Sequence, residues 1–115
     1  NVNGHFMMGS VEYAVEHLGV KLLMVLGHES CGGVTGAISG EEEEGQLGKL
    51  LTSIRNDVPQ YVGKSDSLDA AIRLHTRVQA ERIMANPAIA EKIKEGKLAV
   101  KSAYYNIHTG KVVID

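Results

Sequence analysis

The sequence predicts an α/β domain with a parallel-sheet core flanked by helices and closed by a C-terminal β-hairpin. Three observations carry that prediction. The run Leu22-Leu23-Met24-Val25-Leu26 is apolar without alternation, which fits a strand covered on both faces. Several flanking stretches repeat apolar residues at three- and four-residue intervals, the period of a half-buried helix. Two strand-like stretches near the end enclose a short turn containing glycine. A chain of 115 residues is one small domain, so residues 1–115 are read as a single unit.

Taken in order, Val11, Ala14, Val15 and Leu18 share one helical face, with Ser10 as a candidate N-cap and Gly19 as the residue that stops the helix. The apolar strand follows two residues later. Gly27 to Gly33 then form a glycine-bracketed loop, and Val34 to Ile38 a short helix. The acidic tract Glu41–Glu44 reads as solvated loop or helix start. A second amphipathic helix carries Leu47, Leu50, Leu51, Ile54 and Val58. Ser65 or Asp66 can cap a third, whose apolar stripe includes Leu68, Ile72, His75, Val78 and Ile83. Asn86-Pro87 has the form of an N-cap followed by proline at the first helical position, opening a last helix that Gly96 ends. Leu98 to Tyr105 and Lys111 to Ile114 make the hairpin, with one ring of Tyr104-Tyr105 facing in and the other out.

This reading finds one parallel strand, and parallel pairing needs a neighbour reached through a crossover. The sequence also opens on Asn1 rather than on methionine. The expectation is therefore that the first strand or strands of the fold lie before Asn1.

Composition excludes several classes. Apolar content of 43% and charged content of 23% are those of a globular domain rather than a disordered or fibrous one. The longest apolar run is far shorter than the ~20 residues of a membrane helix, and no membrane partner is expected. Twelve basic residues face fourteen acidic ones. Outside the glutamate tract the charges nearly balance without a basic cluster, so nucleic acid is not an expected partner either. A single cysteine excludes an intrachain disulfide framework. With no apolar targeting stretch, a cytoplasmic protein is expected unless a signal precedes Asn1.

Chemistry concentrates in His28-Glu29-Ser30-Cys31-Gly32-Gly33. The segment follows the C-terminal end of the buried strand, the edge where open α/β sheets bind ligands. An imidazole and a thiol three residues apart on a strand-to-helix turn can address one ion, and zinc takes this N/S combination. The two glycines would let a metal-bound ligand approach the backbone closely. A phosphate-binding P-loop would need Lys-Ser or Lys-Thr after Gly33, where Val34-Thr35 stand instead. A cysteine phosphatase would need arginine at the position of Ala37. A Cys–His nucleophilic pair stays open, as does a buried structural cysteine beside an unrelated histidine.

A longer pattern is more specific than this loop. Ser10-Val11-Glu12-Tyr13-Ala14-Val15, Leu18-Gly19-Val20-Lys21 and Val25 to Val34 resemble the second half of a β-class carbonic anhydrase. Arg77-Val78-Gln79 with Glu81-Arg82 resembles the late helix of that family. Gly96-Lys97-Leu98, Ala103-Tyr104-Tyr105 and Thr109-Gly110-Lys111-Val112 resemble its closing hairpin. The resemblance runs from Gly9 to the end and implies a β-carbonic-anhydrase-like fold, apparently N-terminally incomplete.

It also implies zinc as cofactor, reversible hydration of carbon dioxide to bicarbonate, and a homodimer or a multiple of one. In the family two cysteines and one histidine hold the zinc, and His28 and Cys31 match the His-x-x-Cys pair. The other cysteine belongs to a Cys-x-Asp-x-Arg motif on an earlier strand, and this sequence contains no such motif. Gly32 matches the glycine whose backbone N–H faces the open metal position. Tyr13 matches a tyrosine lining the cleft at the dimer interface. Glu29 departs from the small hydroxyl residue usual at its position, which bears on hydrogen bonding around the histidine.

Two other readings share the scaffold: a non-catalytic remnant that keeps only a dimerising role, and a hydrolase of carbonyl sulfide or carbon disulfide. His5, His17, His75 and His108 are proton-shuttle candidates by side-chain type alone. His75 falls on an apolar stripe and reads as a core histidine, His17 as a residue of a solvated helix face and His108 as part of a turn. None is assigned a catalytic role.

Overall fold

The computed structural model describes residues 2–115. Helix α1 (His5–Glu16) leads into strand β1 (Leu22–His28). Helices α2 (Gly32–Ser39), α3 (Gly45–Asp57), α4 (Leu68–Ala85) and α5 (Pro87–Lys94) follow, then strands β2 (Ala99–Tyr105) and β3 (Val112–Ile114). The sheet runs β1-β2-β3. β1 and β2 pair in parallel from Leu22 opposite Ala99 to His28 opposite Tyr105, and β2 pairs antiparallel with β3.

The parallel neighbour that β1 needs is thus β2, at the other end of a crossover through four helices. The lack of a parallel partner therefore gives no ground for placing a strand before Asn1. Two apolar stretches too far apart in sequence to be matched by pattern make the pair. Among the described residues no strand pairs with the other edge of β1.

Exposure along β1 alternates, against the expectation of two covered faces. Leu23 and Val25 pack in a cluster with Val15, Ile83, Ile89 and Leu98, whereas Leu22, Met24 and Leu26 are exposed. A second cluster joins Val34, Ala37, Ile38, Ile54, Val58, Ala71, Ile72 and Tyr104. Burying a side chain such as Ile72 stabilises by roughly 1.5–3 kcal/mol, so these clusters supply the main force holding α2, α3 and α4 to the sheet. Among the described residues no helix is long and apolar enough to cross a membrane.

Local chemistry explains most element ends. Asn86 Oδ1 accepts from the backbone N–H groups of Ala88 and Ile89 at 3.0 and 3.4 Å, as its place before Pro87 predicts. Gly96 lies just past α5 with φ +72°, a conformation that glycine adopts without steric cost. Ser10 is not a cap. α1 starts five residues earlier, after Gly4, and the Ser10 hydroxyl donates to the Phe6 carbonyl inside the helix. Ser65 and Asp66 form a 3-10 turn, and Ser67 occupies the N-cap of α4 without a side-chain capping bond. Leu18 falls beyond the end of α1 and is 63% exposed, which removes it from the buried face.

Candidate metal centre

The register of the parallel pair places the His28–Cys31 loop. His28 closes β1 opposite Tyr105, and the Glu29 N–H extends the ladder by donating to the Tyr105 carbonyl at 2.9 Å. Ser30 then turns the chain with φ +57°, a left-handed conformation that costs a residue bearing a Cβ about 1–2 kcal/mol. Cys31 becomes the N-cap of α2, and its carbonyl accepts from the Thr35 N–H and hydroxyl at 3.0 and 2.8 Å.

The strand end, the turn and the helix start bring His28 and Cys31 to one cavity of about 120 Å³. Val25, Val34 and Ile72 form its apolar wall, and His75, Thr76 and Gln79 of α4 its polar one. Cys31 is half-buried and carries a free thiol. The His28 Nδ1 lies 3.0 Å from the Glu29 carbonyl oxygen. A carbonyl only accepts, so this bond needs the proton on Nδ1, and in the neutral ring Nε2 is then the nitrogen with the lone pair. Metal-ligating histidines show this same arrangement, with one ring nitrogen donating to a carbonyl and the other free to coordinate.

Gly32 and Gly33 differ in what they do. A Cβ on Gly32 would meet nothing within 4 Å, whereas one on Gly33 would come within 3.3 Å of Ile54 Cδ1. The second glycine therefore admits α3 to the loop, and the expected approach of a ligand bears on Gly32 alone. Gly27, directly before His28, is packed more tightly still. A Cβ there would fall 2.1 Å from Thr76 Oγ1. Tyr13 does not line the cavity. It lies on α1, 57% exposed, with its ring stacked on His17 at 5.4 Å.

Beneath the polar wall lies a buried network that the sequence reading missed. The fully buried Asp57 carboxylate accepts from His75 Nδ1 at 3.1 Å, from Gln79 Nε2 at 2.7 Å and from Arg82 Nη1 at 3.1 Å. Arg82 Nη2 reaches the other carboxylate oxygen. Gln79 Oε1 in turn accepts from the Asn3 N–H at 3.1 Å. His75 is a core histidine, as its stripe position predicts, and it also faces the candidate site. The available signal was the spacing of His75, Gln79 and Arg82, three polar groups at i, i+4 and i+7 and so on one face of α4. Their common acceptor, Asp57, lies on another helix, so the spacing alone does not reveal it.

His108 sits in the β2–β3 turn as expected, but its ring is engaged. Nδ1 bonds to the Glu29 carboxylate, which also lies 3.5 Å from Asn106 Nδ2. Tyr104 is buried and donates to Asp69 Oδ1 at 2.9 Å, with the Arg73 guanidinium 4.0 Å over its ring. Burial first, and the Asp69 bond second, push the Tyr104 phenol up to about 12.

The donor chemistry of His28 and Cys31 suits zinc. Among the described residues, no three His, Cys, Asp or Glu side chains converge as a protein-only site would require.

Comparisons with known proteins place the chain in a family. A family model described as carbonic anhydrase matches residues 1–112. Carbonic anhydrase 2 of Mycobacterium tuberculosis is 33% identical over 114 residues, covering 94% of this chain and 55% of that protein. A carbonic anhydrase of Pseudomonas aeruginosa is 29% identical over 111 residues, covering 90% of this chain and 50% of its own length. The chain thus spans about half the length of these curated relatives. Among solved structures, a tetrameric β-carbonic anhydrase of the filamentous ascomycete Sordaria macrospora superposes with a TM-score of 0.80 at 28% identity, over 95% of this chain and 59% of that one. The chain belongs to the β-carbonic anhydrase family.

Proposed function

We propose that this chain carries the His28–Cys31 part of a zinc centre for the reversible hydration of carbon dioxide to bicarbonate and a proton. One observation carries the reading: His28 and Cys31 line a single small cavity at the C-terminal edge of the parallel pair, with the His28 ring already oriented by the Glu29 carbonyl. Family membership supports the reaction. The ion's contribution is Lewis acidity, which brings the pKa of water from 15.7 toward about 7 and makes a hydroxide nucleophile available near neutrality. His28 Nε2 and the Cys31 thiolate would hold the ion. The Gly32 N–H belongs to the first turn of α2, where backbone donors lack intrahelical partners. Such a donor would be available to stabilise an oxygen that gains charge as carbon dioxide is converted. The apolar side chains of the cavity suit a small, linear, uncharged substrate.

Catalytic zinc sites use three protein ligands and an open position. The third ligand, with the Asp–Arg pair of the family's Cys-x-Asp-x-Arg motif, comes from residues outside these 115. The active form is a homodimer or a multiple of it. The exposed Leu22, Met24 and Leu26, alternate residues on one face of β1, support this, since exposed apolar surface of that kind marks interfaces. Tyr13, outside its own chain's cavity, then lines the partner's cleft.

The test compares zinc content and stopped-flow hydration of the 115-residue chain, of a chain extended N-terminally by a Cys-x-Asp-x-Arg strand, and of its Cys31→Ser variant. The short chain is expected to bind zinc weakly and turn over slowly. The extended chain should gain both properties, and Cys31→Ser should lose both. Stoichiometric zinc with fast turnover in the short chain would refute the ligand assignment, as would an active Cys31→Ser variant.

A further inference from the structure

Glu29 is held at every polar group it has. Its N–H donates to the Tyr105 carbonyl, and its carboxylate receives His108 and Asn106 of the β2–β3 turn. Its carbonyl accepts from His28 Nδ1. The turn that supplies His108 is itself tightly built. Asn106 Oδ1 accepts from the N–H groups of both His108 and Thr109 at 3.0 Å, and the Gly110 N–H returns to the Asn106 carbonyl at 2.8 Å. The Asn106 N–H closes the base of the turn on the Lys111 carbonyl at 2.9 Å.

We propose that His108 and Glu29 form a latch by which the C-terminal hairpin positions His28, fixing the Glu29 carbonyl where it keeps His28 in the Nδ1–H tautomer with Nε2 free to coordinate. This rests on the reading of His28 as a zinc ligand. The physical need is local. Ser30 follows with φ +57°, a conformation the backbone leaves readily unless the surroundings hold it. If residue 29 rotates, its carbonyl leaves His28. The ladder bond at the Glu29 N–H limits translation but leaves the carbonyl free to swing, and the carboxylate contacts remove that freedom. His108 touches neither the cavity nor the ligand atoms, so it is a positioning residue.

The experiment follows the tautomer and the metal separately in the 115-residue chain. Ring-nitrogen NMR at a pH of about 8.5, where histidines of ordinary pKa are neutral, reports the Nδ1–H fraction of His28 without any metal. Zinc affinity is measured by competition with a chromophoric chelator. In the wild-type chain the Nδ1–H form should dominate. His108→Ala and Glu29→Ala should each lower that fraction and weaken zinc binding about three- to ten-fold. That is less than the 10- to 100-fold typical when a direct partner of a ligand is removed. His108→Gln, which keeps a donor, should restore both readouts, and the double alanine variant should do no worse than either single one. A merely structural contact would lower the melting temperature without moving the tautomer. An unchanged tautomer and a zinc affinity within two-fold of wild type in folded His108→Ala would overturn the latch. If the chain extended N-terminally by a Cys-x-Asp-x-Arg strand takes up no zinc while the tautomer still responds to His108→Ala, the latch stands and the zinc reading fails.

Discussion

Replacing Gly27 by alanine tests how the site is built, because its expected cost can be worked from the contacts. The added Cβ would lie 2.1 Å from Thr76 Oγ1 and 3.3 Å from both Thr76 Cβ and Ile72 Cγ2. Thr76 cannot yield freely. It is β-branched, so its side chain has few helical rotamers. It is buried, and its hydroxyl donates to the Ile72 carbonyl at 2.7 Å. Turning Thr76 away gives up that bond, worth about 0.5–1.5 kcal/mol. The remaining contacts push β1 off α4 by a few tenths of an ångström. Overpacking of this kind costs about 1–3 kcal/mol, and we expect about 2 kcal/mol for Gly27→Ala, read from urea unfolding. Thr76→Ala alone should cost about 1 kcal/mol for a lost buried methyl and hydroxyl. With Oγ1 gone, the methyl group added at position 27 faces only 3.3 Å neighbours that can relax, so the double variant should be no worse than Gly27→Ala by itself. The cycle therefore predicts a coupling of about 1 kcal/mol or more. Strict additivity would show that the steric conflict at Gly27 does not set the distance between β1 and α4.

Asp57→Ala should destabilise by about 3 kcal/mol, since it leaves buried donors of His75 and Gln79 without their acceptor. Arg82→Ala should cost clearly less, because that side chain is 48% exposed and already part-solvated; chemical denaturation of both variants checks the order. Ser30→Val should lose about 1 kcal/mol and Ser30→Gly none, because Ser30 is exposed and only the left-handed backbone distinguishes the two. Tyr104 should be the last tyrosine to ionise in an ultraviolet absorbance titration. Its folded pKa, near 12, is above the unfolded value of 10, so above pH 10 the unfolded chain releases a proton that the folded one retains. The stabilisation is therefore complete below pH 10 and lost as pH rises toward 12. Tyr104→Phe should flatten that part of the stability profile.

The helices and the hairpin were legible because their signals are local. Asn86-Pro87 carries its cap in two adjacent letters, and the spacing of Leu47, Leu50, Leu51, Ile54 and Val58 marks α3 as a helix. Only Leu51, Ile54 and Val58 of that stripe are buried, and Leu47 and Leu50 are exposed. The apolar run of β1 was legible as a strand but not as a half-covered one. Leu22, Met24 and Leu26 are as apolar as Leu23 and Val25, and periodicity cannot separate faces when both are greasy. Its partner was invisible for a different reason. β2 begins more than seventy residues after β1 in a stretch that also reads as one arm of a hairpin. It is both, paired in parallel on one side and antiparallel on the other.

The candidate site divides along the same line. His28 and Cys31 stand three residues apart, so their convergence could be argued from a strand, a turn and a helix start. What orients them is distant in sequence: Tyr105 and His108 on Glu29, Thr76 against Gly27, and Asp57 beneath His75. The first of these contacts exists because the β1–β2 register brings the hairpin turn to the end of β1, and the other two follow from the packing of α4 against β1 and α3. A shift of that register by one residue would take Tyr105 from the Glu29 N–H and move the turn away from the Glu29 carboxylate. It would leave the His-x-x-Cys motif unchanged in sequence and the His28 ring without its fixed acceptor. The motif states which atoms can bind a metal, and the pairing of β1 with β2 determines whether they are held in a state to do so.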